Sequence, residues 1–186
     1  RVKARLFAKA LRQLMENSDM VFVMGHKNAD MDCIGAALGL MRLSQCANRR
    51  GYIVLDESNA TIEGALDRMA ESKQYHDCVR TVEQALQLIR PTSVLVVVDT
   101  QRTSSVLSPQ LYNKAAKTVI IDHHRRPVDS LSAPTLNYYE AGASSACEMV
   151  TEVMQYFADG LKPTLFESSA LLAGMTLEQK VGQLFI

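Results

Sequence analysis

Met20-Val21-Phe22-Val23-Met24, followed by Gly25-His26-Lys27-Asn28-Ala29-Asp30-Met31-Asp32, decides the fold. An unbroken apolar run without polar alternation suits a strand covered on both faces, as in a parallel sheet. A polar loop, Gly25 to Asp32, leads into an expected helix from about Cys33 to Cys46 that contains Ala36, Ala37, Leu38 and Leu40. The same alternation repeats outward from this unit. Tyr52–Leu55, Val94–Val98 and Thr118–Ile121 read as further strands, and Val2–Glu16, with Leu6, Leu11 and Leu14 among basic and polar residues, as an amphipathic helix. Ile62–Ala70, Thr81–Ile89 (stopped by Pro91) and Gln110–Ala116 read as the intervening helices. Ala133–Tyr138 is expected as a short edge strand, where Pro134 is best tolerated, and Ser144–Phe157 and Leu165–Ala173 as helices. Strands alternating with helices imply right-handed crossovers: an α/β fold with a mostly parallel β-sheet and helices on both faces, in one domain over residues 1–186.

Composition narrows the function classes. Lysine plus arginine and aspartate plus glutamate balance at 20 each, and the pI is about 7.1, so the basic excess of a duplex-gripping protein is missing. No apolar run approaches the roughly 18 residues of a membrane helix, and there is no signal-peptide pattern; membrane contact by this segment is not expected. The four cysteines, Cys33, Cys46, Cys78 and Cys147, form no CxxC pair and read as buried free thiols of a reducing cytoplasm. The nine methionines fall mostly in apolar stretches and read as core filling. The chain starts at Arg1 rather than Met and is expected to be a piece of a longer protein.

Three polar clusters each follow a strand directly. His26, Asp30 and Asp32 follow the first, Asp99 follows Val94–Val98, and Asp122, His123 and His124 follow Val119–Ile121. Ligands bind beyond the carboxyl ends of such strands, so all three loops should open on one edge of the sheet. Taken singly, Asp99 reads as a turn or cap residue, Asp30 as the cap of the helix near Cys33, and His26 as a hydrogen-bonded histidine. Together, histidines and carboxylates on one edge would repel without a cation, so metal binding is the better account. Imidazole and carboxylate ligands, with no cysteine in the three loops, fit Mn²⁺, with Mg²⁺, Co²⁺ and Fe²⁺ also compatible. The ligand count suits two ions about 3.5–4 Å apart that share a water and clamp a phosphoryl centre. Metal-assisted phosphoester hydrolysis is the chemistry implied.

The ordered set His26-x3-Asp30-x-Asp32, Asp99 and Asp122-His123-His124 resembles the DHH phosphoesterase superfamily. Met24-Gly25-His26-Lys27, Val97-Val98-Asp99-Thr100-x-Arg102, Ile121 to Arg126 and Ala143-Ser144-Ser145 with Glu148 narrow the likeness to GdpP-type cyclic di-AMP phosphodiesterases. The resemblance implies that His26 and Asp30 hold the first ion, Asp32 and His123 the second, and that Asp99 bridges them. It implies that His124 contacts the scissile phosphate and that Asp122 orients the loop and the imidazoles. Arg125, Arg126, Ser144 and Ser145 become candidate phosphate contacts; surface arginines and an ordinary helix N-cap are the alternatives, and Lys27 is open in the same way.

Two departures stand out. Glu178, in Gly174-Met175-Thr176-Leu177-Glu178-Gln179-Lys180, stands where the family places a further aspartate ligand. Its extra methylene displaces the carboxylate by roughly 1.5 Å. The family's C-terminal DHH-associated domain, which helps bind substrate, is not in this chain. The resemblance implies a cyclic or linear dinucleotide substrate, no duplex partner, and a membrane-anchored parent with this domain on the cytoplasmic side; a homodimer of the full-length protein stays open. The alternatives are a nano-RNase or RecJ-like single-strand exonuclease, and a degenerate nucleotide-binding regulatory domain. Six tyrosines, five phenylalanines and no tryptophan offer little for a base-stacking channel, and Glu178 is what favours the degenerate reading.

Overall fold

Val94 to Val98 is buried at every position because it lies inside a six-stranded sheet with packed layers on both sides. The computed structural model describes residues 2–184, with side chains as far as residue 176. In chain order its elements are α1 (Val2–Glu16), β1 (Met20–Met24), α2 (Met31–Cys46), β2 (Arg50–Val54), α3 (Glu63–Glu71), β3 (Val79–Arg80) and α4 (Val82–Leu88). They continue as β4 (Val94–Val98), α5 (Pro109–Lys114), β5 (Lys117–Asp122), β6 (Leu136–Tyr139), α6 (Ala146–Phe157) and α7 (Leu165–Leu184). The sheet order is β3-β2-β1-β4-β5-β6, and every adjacent pair is parallel.

Alternate residues of each strand feed two cores. Val21, Val23, Val96, Val98 and Ile121 pack with α1, α2, α6 and α7, and Phe22, Met24, Leu95, Val97 and Ile120 pack with α4 and α5. Burying each such side chain is worth about 2 kcal/mol, so the apolar runs themselves place these strands in the middle of the sheet. Strand order reverses direction between β1 and β4, and in sheets of this kind a crevice opens beyond the strand ends at that point.

Several boundaries differ from expectation. β3 was not foreseen: its two residues carry no apolar run and gain strand geometry only by pairing Val79 with Ile53 and Arg80 with Val54. The sixth strand is at the sheet edge but starts at Leu136, since Ala133 sits at φ 47° and Thr135 N–H donates to the Thr118 carbonyl. α2 starts two residues before Cys33, and α7 runs on past Ala173. Cys33, Cys78 and Cys147 are buried, whereas Cys46, in the last turn of α2, is exposed.

Candidate metal centre

The loop after β1 is fixed from both ends. Asp30 is the N-cap of α2, its Oδ1 accepting from Cys33 N–H at 3.0 Å, which turns its Oδ2 toward His26 Nε2 at 3.6 Å. The capping reading of Asp30 and its placement in the cluster are therefore both met, by different oxygens. The segment after β4 straps the same loop: Lys27 N–H donates to the Ser105 carbonyl and Leu107 N–H to the Gly25 carbonyl.

Asp99 stands between two groups of ligand atoms. Its Oδ2 lies 3.3 Å from His26 Nε2, and its Oδ1 lies 3.3 Å from His123 Nε2 and 3.7 Å from His124 Nδ1. The backbone at Asp99 is left-handed, φ 60°, with its N–H donated to the Ile121 carbonyl; a non-glycine residue adopts that region only where its surroundings impose it. Asp32 faces the same space from the first turn of α2, its Oδ2 3.6 Å from His123 Nε2. Both Asp32 oxygens also accept from the start of α6, from Ala146 N–H and Cys147 N–H at 2.8 Å each. Asp122 is fully buried and accepts from the ring of His124, Nδ1 to Oδ1, at 2.8 Å.

The electrostatics ask for a cation. Burial and the neighbouring Asp99 charge push the Asp32 carboxyl up to about 6 against the opposing Cys147 and Ala146 N–H bonds. The neighbouring carboxylates of Asp30 and then Asp99 push the His26 imidazole up to about 12. Burial alone would raise Asp99, but the imidazoles of His123 and His26 beside it reverse that and hold the group below the ordinary aspartate range. Asp99 Oδ1 and His123 Nε2 are buried without a hydrogen-bond partner. Orphaned atoms of this kind, with carboxylates crowded around imidazoles, fit a divalent cation well. Among the described residues, His26, Asp30, Cys33 and Asp99 form one group with ligand atoms within 4.8 Å of one another, and Asp99, His123 and His124 form a second.

Other expected residues divide. Arg125 lines the cleft of about 500 Å³ beside His26, Asp99 and His124, together with Lys27 and Arg102. Lys27 Nζ donates to the Ser104 carbonyl there. Arg126 lies over the Tyr139 ring, 4.9 Å from its centroid. Ser145 is buried and caps α6 by accepting from Glu148 N–H, while the exposed Ser144 hydroxyl donates to Glu148 Oε2. Glu178 lies outside the described side chains. Two contributors went unread in the sequence. Cys33 lies just beyond the polar loop, directly after Asp32. Gln101 is buried, and its amide donates to the His124 carbonyl at 3.1 Å, a contact with no local signal.

The chain is 42% identical over 184 residues to the cyclic-di-AMP phosphodiesterase GdpP of Geobacillus thermodenitrificans and 39% identical to GdpP of Bacillus subtilis, covering 97% of this chain and 28% of each relative. It thus spans little more than a quarter of their length. An exopolyphosphatase-related protein from Bacteroides fragilis superposes with a TM-score of 0.74 at 19% identity, over 94% of this chain and 50% of that one. Exonuclease RecJ bound to manganese superposes with a TM-score of 0.56 at 13% identity, over 93% of this chain and 42% of that one. These two share the fold. The family description "DHH family, N-terminal domain" matches residues 20–175, from the start of β1 into α7, and the chain belongs to the DHH family.

Proposed function

We propose that this chain is the metal-binding catalytic domain of a phosphodiesterase that hydrolyses cyclic di-AMP or its linear dinucleotide product. The carrying observation is Asp99, a single buried carboxylate with one oxygen toward His26 and the other toward His123 and His124. The GdpP relatives supply the substrate class. His26, Asp30 and Asp99 would hold one ion, and Asp99, Asp32 and His123 the other, with Mn²⁺ the first candidate. Two such ions, when bound, supply an acidified water and neutralise charge on the phosphoryl oxygens.

The remaining residues act by position. Asp122 fixes the ring of His124 through Nδ1, which sets tautomer and direction for contact with the scissile phosphate. Arg125 places a cation in the cleft for a phosphate oxygen. A C-terminal DHH-associated domain in the longer protein would help hold the nucleotide, on the cytoplasmic side of a membrane-anchored parent. Among the described residues no helix is long and apolar enough to cross a membrane.

The test is a Mn²⁺ titration followed by turnover of cyclic di-AMP, its linear product and long single-stranded DNA. Dinucleotide hydrolysis that depends on added metal is expected, both by this chain and, faster, by a longer form. Degradation of long strands with dinucleotides untouched would move the chain to the exonuclease branch. Metal binding without turnover in the longer form would make it a regulatory nucleotide-binding domain.

A further inference from the structure

We propose that Cys33 is a thiolate ligand of the ion at the His26–Asp30–Asp99 position, which makes that position a nitrogen–oxygen–sulfur site for a thiophilic divalent cation. The inference rests on the metal-centre reading above and adds to it a ligand and a metal preference.

The geometry is local and over-determined. The N–H that Asp30 caps is that of Cys33, so the sulfur and the Asp30 carboxylate are fixed in one helical turn. Cys33 Sγ lies 3.7 Å from Asp99 Oδ2, the same oxygen that faces His26 Nε2 at 3.3 Å. All four donor atoms lie within 4.8 Å of one another, a spread that one ion can span. Gly25 makes room for the sulfur: a Cβ on Gly25 would stand 2.4 Å from Sγ.

Asp99 is 3% exposed and joins the two ligand groups: its Oδ2 faces His26 and Cys33, and its Oδ1, without a hydrogen-bond partner, faces His123. The thiol donates to Asp99 Oδ2. On binding, the sulfur–metal bond forms as the thiol proton leaves to solvent, and no electrons are transferred. Thiolate ligation shifts preference toward Zn²⁺, Fe²⁺, Co²⁺ or Cd²⁺, whereas the second group, Asp99, His123 and His124, offers nitrogen and oxygen only.

Cobalt(II) reports sulfur ligation directly, because thiolate gives a near-ultraviolet charge-transfer band that imidazole and carboxylate do not. The full chain should be titrated with Co²⁺ in a Cys46→Ser background, which removes the exposed thiol. The expected result is the charge-transfer band in the parent and its loss in Cys33→Ser, with Co²⁺ still bound. Cd²⁺ affinity should fall by about tenfold or more, with Mn²⁺ affinity changed far less. Bound Co²⁺ with no such band, or a band that survives Cys33→Ser, overturns the inference and leaves the metal centre standing. No Co²⁺ bound at all overturns both. Circular dichroism checks that Cys33→Ser folds. If it does not, X-ray absorption at the cobalt edge of the parent decides, a sulfur scatterer supporting the proposal and its absence refuting it.

Discussion

Asp99 lies at the end of β4 in left-handed backbone, and asparagine tolerates that conformation nearly as well as aspartate. Asp99→Asn therefore isolates the charge from the fold. It should leave the chain folded and lower turnover by more than about a hundredfold, because both ligand groups lose their shared oxygen donor. Arg125→Ala, which removes one exposed cation from the cleft, should cost about tenfold or less. Steady-state kinetics at saturating Mn²⁺ compare the two, and near-normal activity of Asp99→Asn would sink the shared-carboxylate assignment. Gln101 is a positioning residue at the same scale. Gln101→Leu should lower kcat with KM little changed, since its amide holds the His124 carbonyl rather than substrate, and Gln101→Glu should not restore it because the donor is lost.

Elements meet at the candidate metal centre through close backbone approaches. α7 crosses the start of α2 at Gly174, where a Cβ would lie 2.4 Å from Cys147 Sγ, 2.9 Å from the Met31 carbonyl oxygen and 3.0 Å from Asp32 Cα. Backbone neighbours cannot rotate away, so Gly174→Ala should cost about 1–3 kcal/mol. It should also weaken metal binding, because Asp32 is aligned between α2 and the N–H groups of α6. Denaturant unfolding and a metal titration on the same variant read the two effects. Farther from the site, fully buried Glu167 ties α7 to two other segments. It accepts from Arg42 Nε at 3.0 Å and Thr164 N–H at 2.8 Å, and from the Tyr75 hydroxyl. Burial, followed by the bond to Glu167, pushes the Tyr75 phenol well above its ordinary value, so it remains a donor. Glu167→Ala leaves a buried phenol and a partly buried cation without their partner and should cost about 3 kcal/mol, measured by unfolding in urea.

At the scale of the whole molecule, ions that bind only the folded chain stabilise it by mass action. At a free ion concentration a hundredfold above Kd the gain per site is about 2.7 kcal/mol. For a chain of 186 residues that raises Tm by roughly 5–10 °C, and a chelator should reverse it. Calorimetric scans with and without Mn²⁺ check this, and an unmoved Tm would contradict folded-state metal binding.

The α/β class, the central strands and the convergence of three polar loops were all legible in the sequence, because each is written in contiguous residues. An apolar run such as Val94–Val98 must be covered on both faces, and the residue after it must emerge at the strand's end. Parallel topology then brings His26, Asp99 and His123 to one edge without further information. What the tertiary structure alone decided are pairings between distant segments: Asp32 on the start of α6, Gln101 on the His124 carbonyl, and Glu167 against Arg42 and Tyr75. The two-residue strand β3 belongs with them, since its geometry comes from its partner rather than its own composition. Cys33 lies between the two cases: its place in the sequence is beside Asp32, but only the rotation of α2 about its axis turns the sulfur toward Asp99. Local chemistry fixes which elements form and where they end. The angle and depth at which those elements pack decide which side chains meet, and that depends on every contact in the core at once.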